Sequence, residues 1–196
     1  MSPAPTRHIQ EFLEDTASKV EKALQTFLAQ IANGQPAELG VELKESLHVP
    51  LSYFLGGKGK RLRPALMILC NRAVAHTNLL SEKELIKLSL LPEIIHNGTL
   101  VVDDIEDSSP LRRGKPSLHV AFGVPIAVNA GTFLYYLPTQ LIKQATLPTD
   151  AKLKIYEVIN EEMLSVTVGQ GADIFWAQKG AFEVNVAAYF AMCAKK

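Results

Sequence analysis

The spacing of the apolar residues constrains the fold of this 196-residue chain more than any other feature. From Ile9 to Ile31 apolar residues recur mostly at steps of three and four, and Gly34 follows as a helix stop signal. Strands would instead show alternating apolar and polar residues between turn signals, and no such pattern occurs in the sequence. The period therefore predicts an all-α bundle.

The same reasoning places the later helices. They are predicted at 41–55, from Pro64 onward, and at 82–107, 117–122, 125–145, 151–178 and 183–196. Ser81 and Glu84 form a capping box that opens the helix from 82 to 107. Because proline removes one hydrogen bond and crowds the preceding turn, Pro92 should kink that helix and Pro138 should bend a later one. We expect one all-α domain over residues 1–196.

Composition excludes several classes of protein. Hydrophobic residues make up 47% of the chain, which is enough for a core and too much for a disordered chain. Twenty Lys and Arg residues balance twenty Asp and Glu residues, which argues against a nucleic-acid binder. Cys70 and Cys193 form neither a disulfide framework nor a zinc pattern. Since thiols suit a reducing compartment, we expect a cytoplasmic location.

One stretch has the length of a membrane span. Residues 120–142 carry no charged side chain, and about 20 apolar residues can cross a bilayer. Gly123, Pro125, Asn129 and Pro138 interrupt this stretch. A buried helix, or a pair of helices in a soluble all-α protein, accounts for it better, and we expect no membrane span.

An acidic cluster ends the helix predicted at 82–107. Four of five consecutive residues are acids: Asp103, Asp104, Glu106 and Asp107. Asp103 and Asp107 share a helix face one turn apart, where they repel each other and oppose the helix dipole. A divalent cation would relieve this repulsion, and oxygen ligands without nearby His or Cys suit Mg²⁺. A solvated acidic helix end is the alternative interpretation.

Basic residues lie on both sides of this cluster in the sequence. Arg112 and Arg113 follow it, and guanidinium groups bind phosphate through paired hydrogen bonds. Upstream, the glycine-rich segment 56–64 places four cations just before a helix start, although its spacing is not that of a P-loop. Charge compensation and a flexible basic loop are the alternatives. Together, the acidic and basic segments indicate a metal–polyphosphate site.

Four motifs follow one another along the chain: Gly59-Lys60-Arg61-Leu62-Arg63-Pro64, His96 seven residues before Asp103-Asp104-Ile105-Glu106-Asp107, Arg112-Arg113-Gly114, and Gly169-Gln170-Gly171-Ala172-Asp173-Ile174. In this order they resemble the motifs of the trans-isoprenyl diphosphate synthases, or polyprenyl synthetases, and look closest to those of the geranylgeranyl diphosphate synthases. The family's D-D-x-x-D motif corresponds to Asp103, Asp104 and Asp107. The resemblance implies a helical bundle of the isoprenoid-synthase type.

The resemblance also implies a role for each motif residue. The implied catalytic residues are Asp103, Asp104, Asp107, Arg112 and Lys196. The implied ligands of Mg²⁺ are Asp103, Asp107 and Asp173. Arg112 and Lys196 would bind the allylic diphosphate, and Gln170 would lie near the metal-bound diphosphate. The diphosphate of isopentenyl diphosphate would be held by Lys60, Arg63, His96 and Arg113.

The implied reaction is prenyl transfer. Isopentenyl diphosphate would condense with dimethylallyl, geranyl or farnesyl diphosphate by Mg²⁺-assisted ionisation, condensation and elimination, giving a longer trans-prenyl diphosphate. The expected product is geranylgeranyl diphosphate, and the expected assembly is a homodimer. Alternatives are a farnesyl diphosphate synthase, an inactive or regulatory subunit that pairs with a full-length synthase, and an unrelated helical metal-carboxylate protein.

Two further expectations come from the resemblance. Gly98 and Thr99 stand where farnesyl synthases have aromatic rings, so these small residues imply a deeper prenyl tunnel; alternatively, they let neighbouring helices pack closely. The family's second aspartate-rich motif has no counterpart within residues 1–196. We therefore expect the N-terminal portion of the family fold, incomplete at the C-terminus, with little synthase activity from this chain by itself.

Overall fold

A computed structural model describes residues 5–57, 59–74, 80–180 and 183–196, and most of these residues are helical. The α-helices are α1 Pro5–Asn33, α2 Gly40–Leu43, α3 Val49–Leu55, α4 Leu62–Val74, α5 Glu82–Leu88, α6 Leu90–Glu106, α7 Leu118–Phe122, α8 Val124–Tyr136, α9 Pro138–Gln144, α10 Thr149–Lys179 and α11 Val186–Lys195. A 3-10 helix, Ala37–Leu39, and a π-helical turn, Lys44–His48, flank α2. The predicted all-α class is confirmed.

A short hairpin lies among the described helices, and the apolar period did not predict it. Its strands are β1 Leu111–Arg112 and β2 Lys115–Pro116, and they pair antiparallel. Strands of two residues are too short to show an alternating pattern, so no strand signal occurs at these residues in the sequence. This hairpin follows the acidic cluster and carries both arginines of the third motif.

A helix cap at Ser81 and two prolines set helix boundaries in the structure. The Glu84 N–H donates to Ser81 Oγ at 3.2 Å, which confirms this cap of α5. The chain breaks at Ser89 between α5 and α6, one turn before Pro92, because in an unbroken helix the proline ring would clash with the carbonyl of Leu88. Pro138 likewise separates α8 from α9. Proline therefore determines where these long apolar segments divide.

The chain forms two compact units, Met1–Ala145 and Thr146–Lys196. In the first unit, α6 packs along α8, and α1 packs against α4 and α5. Its largest fully buried apolar side chains are Val20, Leu24, Ile68, Leu90, Ile94, Val101, Leu118, Leu134, Leu141 and Ile142. In the second unit, α10 packs against α11. The first unit contains the residues of the first three motifs.

Two glycines allow α6 and α8 to approach each other closely. A Cβ on Gly98 would lie 3.0 Å from Tyr135 Cδ1 and 3.1 Å from Leu134 Cβ. A Cβ on Gly131 would lie 3.0 Å from Val102 Cγ2. Real Cβ atoms are rarely this close to their neighbours, so the absence of a side chain at both positions sets the distance between the two helices.

The uncharged stretch 120–142 divides among α7, α8 and α9, in agreement with the expected buried helix pair. Within it, Ala127, Ala130, Leu134, Leu141 and Ile142 are all inaccessible to solvent. A different run, 82–106, is long and apolar enough to cross a membrane by length and composition. However, 56% of its most apolar window is buried inside the protein, as in a core helix.

We expect a large side chain at Gly131 to destabilise the first unit. Gly131→Leu places three carbons beyond Cβ in a contact that is already closed, which should lower the free energy of unfolding by about 1–3 kcal/mol. Urea denaturation measures this change. Gly40→Ala is the matched control, because Gly40 is helical and a Cβ there meets no atom within 4 Å. Equal stability of Gly131→Leu and the parent would contradict the close approach.

Candidate active site

Helix α6 presents two different polar faces, because residues three and four apart share a side of a helix. The half-buried or exposed side carries His96, Thr99, Asp103 and Asp107. The buried side carries Glu93, Asn97, Val101 and Asp104, each at most 5% exposed. In the first set, His96, Asp103 and Asp107 are predicted ligands and Thr99 is a predicted chain-length residue. The buried Asp104, a predicted catalytic residue, and the buried Glu93 and Asn97 hold neighbouring arginines.

Asp104 is paired with Arg112 of β1. Arg112 Nε donates to both carboxylate oxygens, at 2.9 and 3.1 Å, and Arg112 Nη2 donates to Asp104 Oδ1 as well. These hydrogen bonds are the largest cause of the raised pKa of Arg112. Since Asp104 is 1% exposed, its carboxylate is directed at the guanidinium rather than at solvent. The structure therefore gives Asp104 a supporting position.

Asp103 and Asp107 retain carboxylates on the outer side of α6. The Asp103 side chain is 27% exposed and lies 3.7 Å from Arg112 Nη2. Asp107 is the exposed C-cap residue, and its N–H donates to the Asp103 carbonyl at 2.8 Å. Two carboxylates fit Mg²⁺, which typically binds one or two carboxylates, several waters and substrate phosphates. Within the described residues, no group of three or more ligating side chains gathers for a metal.

The turn of the hairpin exposes Arg113. Arg113 and Gly114 have φ values of 52° and 77°, as both central residues of a two-residue type I′ turn require. A left-handed backbone is unfavourable for arginine, and such residues often mark functional sites. The side chain of Arg113 is exposed at this turn.

Arg113 also contacts the glycine-rich segment. Its Nη2 donates to Asn97 Oδ1 at 3.3 Å, and its guanidinium carbon lies 6.0 Å from the centroid of the Phe54 ring. A Cβ on Gly57 would lie 3.8 Å from Arg113 Cδ. The two basic elements, separated by about fifty residues in the sequence, therefore meet beside α6.

Arg61 has an internal position, unlike the other described cations of its segment. It is 3% exposed, and its guanidinium donates to Glu93 Oε1 at 2.6 Å and to Glu21 Oε2. Arg61 Nη2 also donates to the carbonyls of Leu55 and Gly57, at 3.3 and 3.4 Å. The segment therefore folds around the Arg61 guanidinium, which stabilises the segment from within.

Lys60 and Arg63 lie on either side of Arg61 and are exposed. They remain available to an anion from solvent, as the implied substrate-binding role requires. Lys58, the fourth cation of this segment, lies outside the described residues.

His96 lies in a cationic environment. Burial is the largest cause that lowers the pKa of this imidazole below 6.5, and the positive charge of Arg63 is the next. Arg113 and Arg112 lower the pKa further, while Glu93 opposes them. Three guanidinium groups that disfavour one more positive charge form a site of positive potential, which would attract a multiply charged anion.

Comparisons with known proteins agree with this geometry. The family model described as "Polyprenyl synthetase" matches residues 44–196, which is more than three quarters of the chain. The chain belongs to the polyprenyl synthetase family. Geranylgeranyl pyrophosphate synthases of Metarhizium anisopliae and Eremothecium gossypii are 35% and 33% identical to it, over 78% and 68% of this chain. The chain spans about two fifths of the length of these relatives, 43% and 41%.

Solved structures of geranylgeranyl pyrophosphate synthetases share the fold of this polyprenyl synthetase chain. A geranylgeranyl pyrophosphate synthetase from the archaeon Geoglobus acetivorans has a TM-score of 0.78 and 26% identity, covering 94% of this chain and 55% of its own. The enzyme of that name from Pyrococcus horikoshii has a TM-score of 0.70 and 28% identity, covering 93% and 53%. The isoprenoid-synthase type of helical bundle is thereby confirmed.

The two predicted chain-length residues of this polyprenyl synthetase differ in position. Gly98 is buried in the α6–α8 contact, which fits the close-packing interpretation, and its chain-length role stays a prediction. Thr99 is half-buried on the same face as His96 and Asp103, and its hydroxyl donates to the His96 carbonyl at 2.8 Å. Beside Gly98, burial and the charges of Glu106 and Asp103 raise the pKa of Tyr135 to about 12. Thr99 is therefore the better probe of chain length.

The fourth motif lies in the unit Thr146–Lys196. Asp173 and Lys196 form an ion pair there, and their side chains are 41% and 35% exposed. Gln170 is half-buried on α10, one turn before Asp173. The structure thus joins a predicted metal ligand to a predicted diphosphate ligand, and the roles of all three residues stay predictions.

Sequence reasoning did not single out Glu93 and Asn97, the buried polar residues of α6. A signal for them exists, because both lie on the apolar stripe that also contains Leu90, Ile94 and Val101. A charged residue and an amide in a stripe that faces the core require buried partners. Arg61 and Arg113 are those partners.

We expect the pKa of His96 to increase when inorganic diphosphate binds, because the anion offsets the three arginines. In the unliganded protein the pKa lies below 6.5, so the unfolded chain takes up this proton first as the pH falls. This imidazole therefore reduces stability from about pH 6.5 down to its folded pKa. NMR titration of the imidazole measures the pKa with and without diphosphate.

Two substitutions make this titration specific. Arg63→Gln should raise the pKa of His96 by removing a neighbouring charge. Arg72→Gln is the control, because Arg72 lies over the Phe12 ring, 5.4 Å from its centroid, and is absent from the causes that shift His96. A pKa of His96 that responds to neither diphosphate nor Arg63→Gln would refute the cationic site.

Proposed function

We propose that this chain forms the diphosphate-binding part of a prenyltransferase that makes geranylgeranyl diphosphate from isopentenyl diphosphate and an allylic diphosphate. The observation that carries the proposal is the position of His96, which lies among arginines on the same helix face as Asp103 and Asp107. A cluster of cations beside a carboxylate pair suits a substrate that carries both diphosphate and metal. The names of the relatives support the product.

Isopentenyl diphosphate would bind where the glycine-rich segment meets the hairpin turn. Its proposed ligands are Lys60, Arg63, His96 and Arg113. Three of these side chains are exposed and cationic, and His96 can donate a hydrogen bond in its neutral form. Fixed cations of this kind bind diphosphate through charge-assisted hydrogen bonds.

The allylic diphosphate would bind on the other side of His96, toward Arg112. Asp103 and Asp107 would hold Mg²⁺, and Asp104 would keep Arg112 oriented toward the diphosphate. For the residues of the fourth motif we propose the roles that the family resemblance implies: a metal ligand at Asp173 and diphosphate contacts at Gln170 and Lys196. When bound, Mg²⁺ neutralises the diphosphate and makes it a better leaving group.

The chain's own contribution to the reaction is charge and orientation. As the allylic C–O bond breaks, negative charge develops on the leaving diphosphate, and the Arg112 guanidinium would stabilise that charge without reorganising. The allylic carbon then bonds to the double bond of isopentenyl diphosphate, which loses a proton. This scheme needs no nucleophilic side chain.

Domain organisation, oligomeric state and cellular location complete the proposal. We propose one polyprenyl synthetase domain over residues 1–196, supported by a family match that continues across residues 145 and 146. A homodimer is proposed from the family resemblance alone. A cytoplasmic location is supported by Cys70 and Cys193, which are both exposed thiols without a disulfide.

The activity is tested on the natural protein that contains this sequence, at its natural length. With Mg²⁺, farnesyl diphosphate and isopentenyl diphosphate, we expect geranylgeranyl diphosphate, measured by mass spectrometry after phosphatase treatment. Asp103→Asn should lower kcat about 100-fold or more, because the variant loses a carboxylate ligand of Mg²⁺ and the leaving diphosphate is then less well stabilised. Glu106→Gln is the matched control and should retain activity. Inorganic diphosphate binding without any prenyl transfer would contradict the proposed reaction.

Chain length is tested at Thr99. An aromatic ring at Thr99 should shorten the prenyl tunnel, so Thr99→Phe should shift the product from geranylgeranyl toward farnesyl diphosphate when geranyl diphosphate is the primer. The product ratio is measured by chromatography. Thr26→Phe is the control, because Thr26 is an exposed helical threonine whose hydroxyl also bonds to a backbone carbonyl. An unchanged product ratio in Thr99→Phe would exclude Thr99 as a chain-length residue.

A further inference from the structure

Two arginines in the site region have a left-handed backbone. Arg61 has a φ of 47° and Arg113 has a φ of 52°, values that residues other than glycine rarely adopt. Such conformations persist where surrounding contacts hold the residue strongly in place. Arg61 is buried within the glycine-rich segment, whereas Arg113 is exposed at the hairpin turn. The contacts that hold each one are therefore informative.

Glu93 and Asn97 of α6 connect these two arginines. Glu93 Oε1 accepts hydrogen bonds from Arg61 Nη1 at 2.6 Å and from Asn97 Nδ2 at 3.2 Å. Asn97 Nδ2 also donates to the Glu93 carbonyl at 2.7 Å, and Asn97 Oδ1 accepts from Arg113 Nη2 at 3.3 Å. A continuous series of hydrogen bonds therefore joins the glycine-rich segment to the hairpin.

An amide side chain suits this series because it has a donor end and an acceptor end. Asn97 is 0% exposed, and the structure uses both ends. An aspartate at this position would lose the donor to Glu93 and would place a second anion beside it. A serine could still donate to the Glu93 carbonyl one turn before, but its hydroxyl is too short to reach Arg113.

We propose that Asn97 is a positioning residue for isopentenyl diphosphate: it holds Arg113 against Gly57 and joins it, through Glu93, to Arg61. The cations of the glycine-rich segment and of the hairpin turn then form one preassembled diphosphate site. This inference rests on the proposed function in assigning Arg113 to isopentenyl diphosphate. Asn97 itself is buried and acts through Arg113.

The neighbouring arginine has a separate anchor. Arg112 is held by Asp104, whereas Arg113 is held by Asn97. The loss of Asn97 should therefore affect the binding of isopentenyl diphosphate selectively. We expect Asn97→Ser to raise KM for isopentenyl diphosphate about tenfold, as for a lost hydrogen bond to a charged group. KM for the allylic diphosphate should stay within about twofold, since the Asp104–Arg112 contacts remain.

The test is a double-mutant cycle with Asn97→Ser and Arg113→Ala on the protein as its cells make it. The readouts are both KM values and the Kd of inorganic diphosphate, measured by calorimetry. If Asn97 acts through Arg113, the double variant should bind no more weakly than Arg113→Ala alone. Independent effects, in which the two fold-changes multiply, would overturn the proposal. An equal rise of both KM values would also overturn it.

A measurement on the parent protein keeps the test valid if Asn97→Ser does not fold. The guanidinium of Arg113 should rotate more slowly by NMR than that of exposed Arg63, because Asn97 and Phe54 hold it. Equally fast rotation would overturn the proposal. If no prenyl transfer occurs, the proposed function fails. The double-mutant cycle, followed through the Kd of inorganic diphosphate, still decides whether Asn97 positions Arg113. If transfer occurs and the effects multiply, only the role of Asn97 fails.

Discussion

The buried ion pair between Arg61 and Glu93 is the interaction on which the site region depends. Removing a charge pair from water is costly, and the cost is recovered only where geometry and further hydrogen bonds are favourable. Here Glu21, Asn97 and two backbone carbonyls supply those hydrogen bonds. The loss of Arg61 would leave Glu93 buried without its cation, and the loss of Glu93 would leave Arg61 with Glu21 as its remaining carboxylate partner among the described residues. The glycine-rich segment and α6 therefore stabilise each other through this pair.

Much of the fold could be predicted from periodicity and from individual residues. The apolar stripe of α1, the cap at Ser81 and the breaks near Pro92 and Pro138 are local effects, and the sequence contains their causes. The outer face of α6 was also predictable, because the spacing of Asp103 and Asp107 determines a shared helix side. These features require no knowledge of which distant segments meet.

The rest depended on tertiary contacts. The sequence alone indicates that Arg61 is one more cation of a basic loop. Its contact with Glu93, 32 residues later, shows that it is buried. The close approach of Gly98 to Leu134 and Tyr135 of another helix was likewise not evident from the sequence, and its chain-length role stays a prediction. The hairpin was missed because two-residue strands leave no pattern. Each of these features needs a partner that spacing alone does not identify.

The two anchors on the buried face of α6 have a geometric consequence. Asn97 and Asp104 are seven residues apart, and at about 1.5 Å per residue they stand about 10.5 Å apart along the helix axis. An α-helix is rigid over two turns, so the separation between the Arg113 and Arg112 anchors does not depend on the ligand. If the proposed roles hold, substrates with longer or shorter prenyl chains would change only the apolar end of the site. The distance between the two diphosphates would stay constant through every round of elongation.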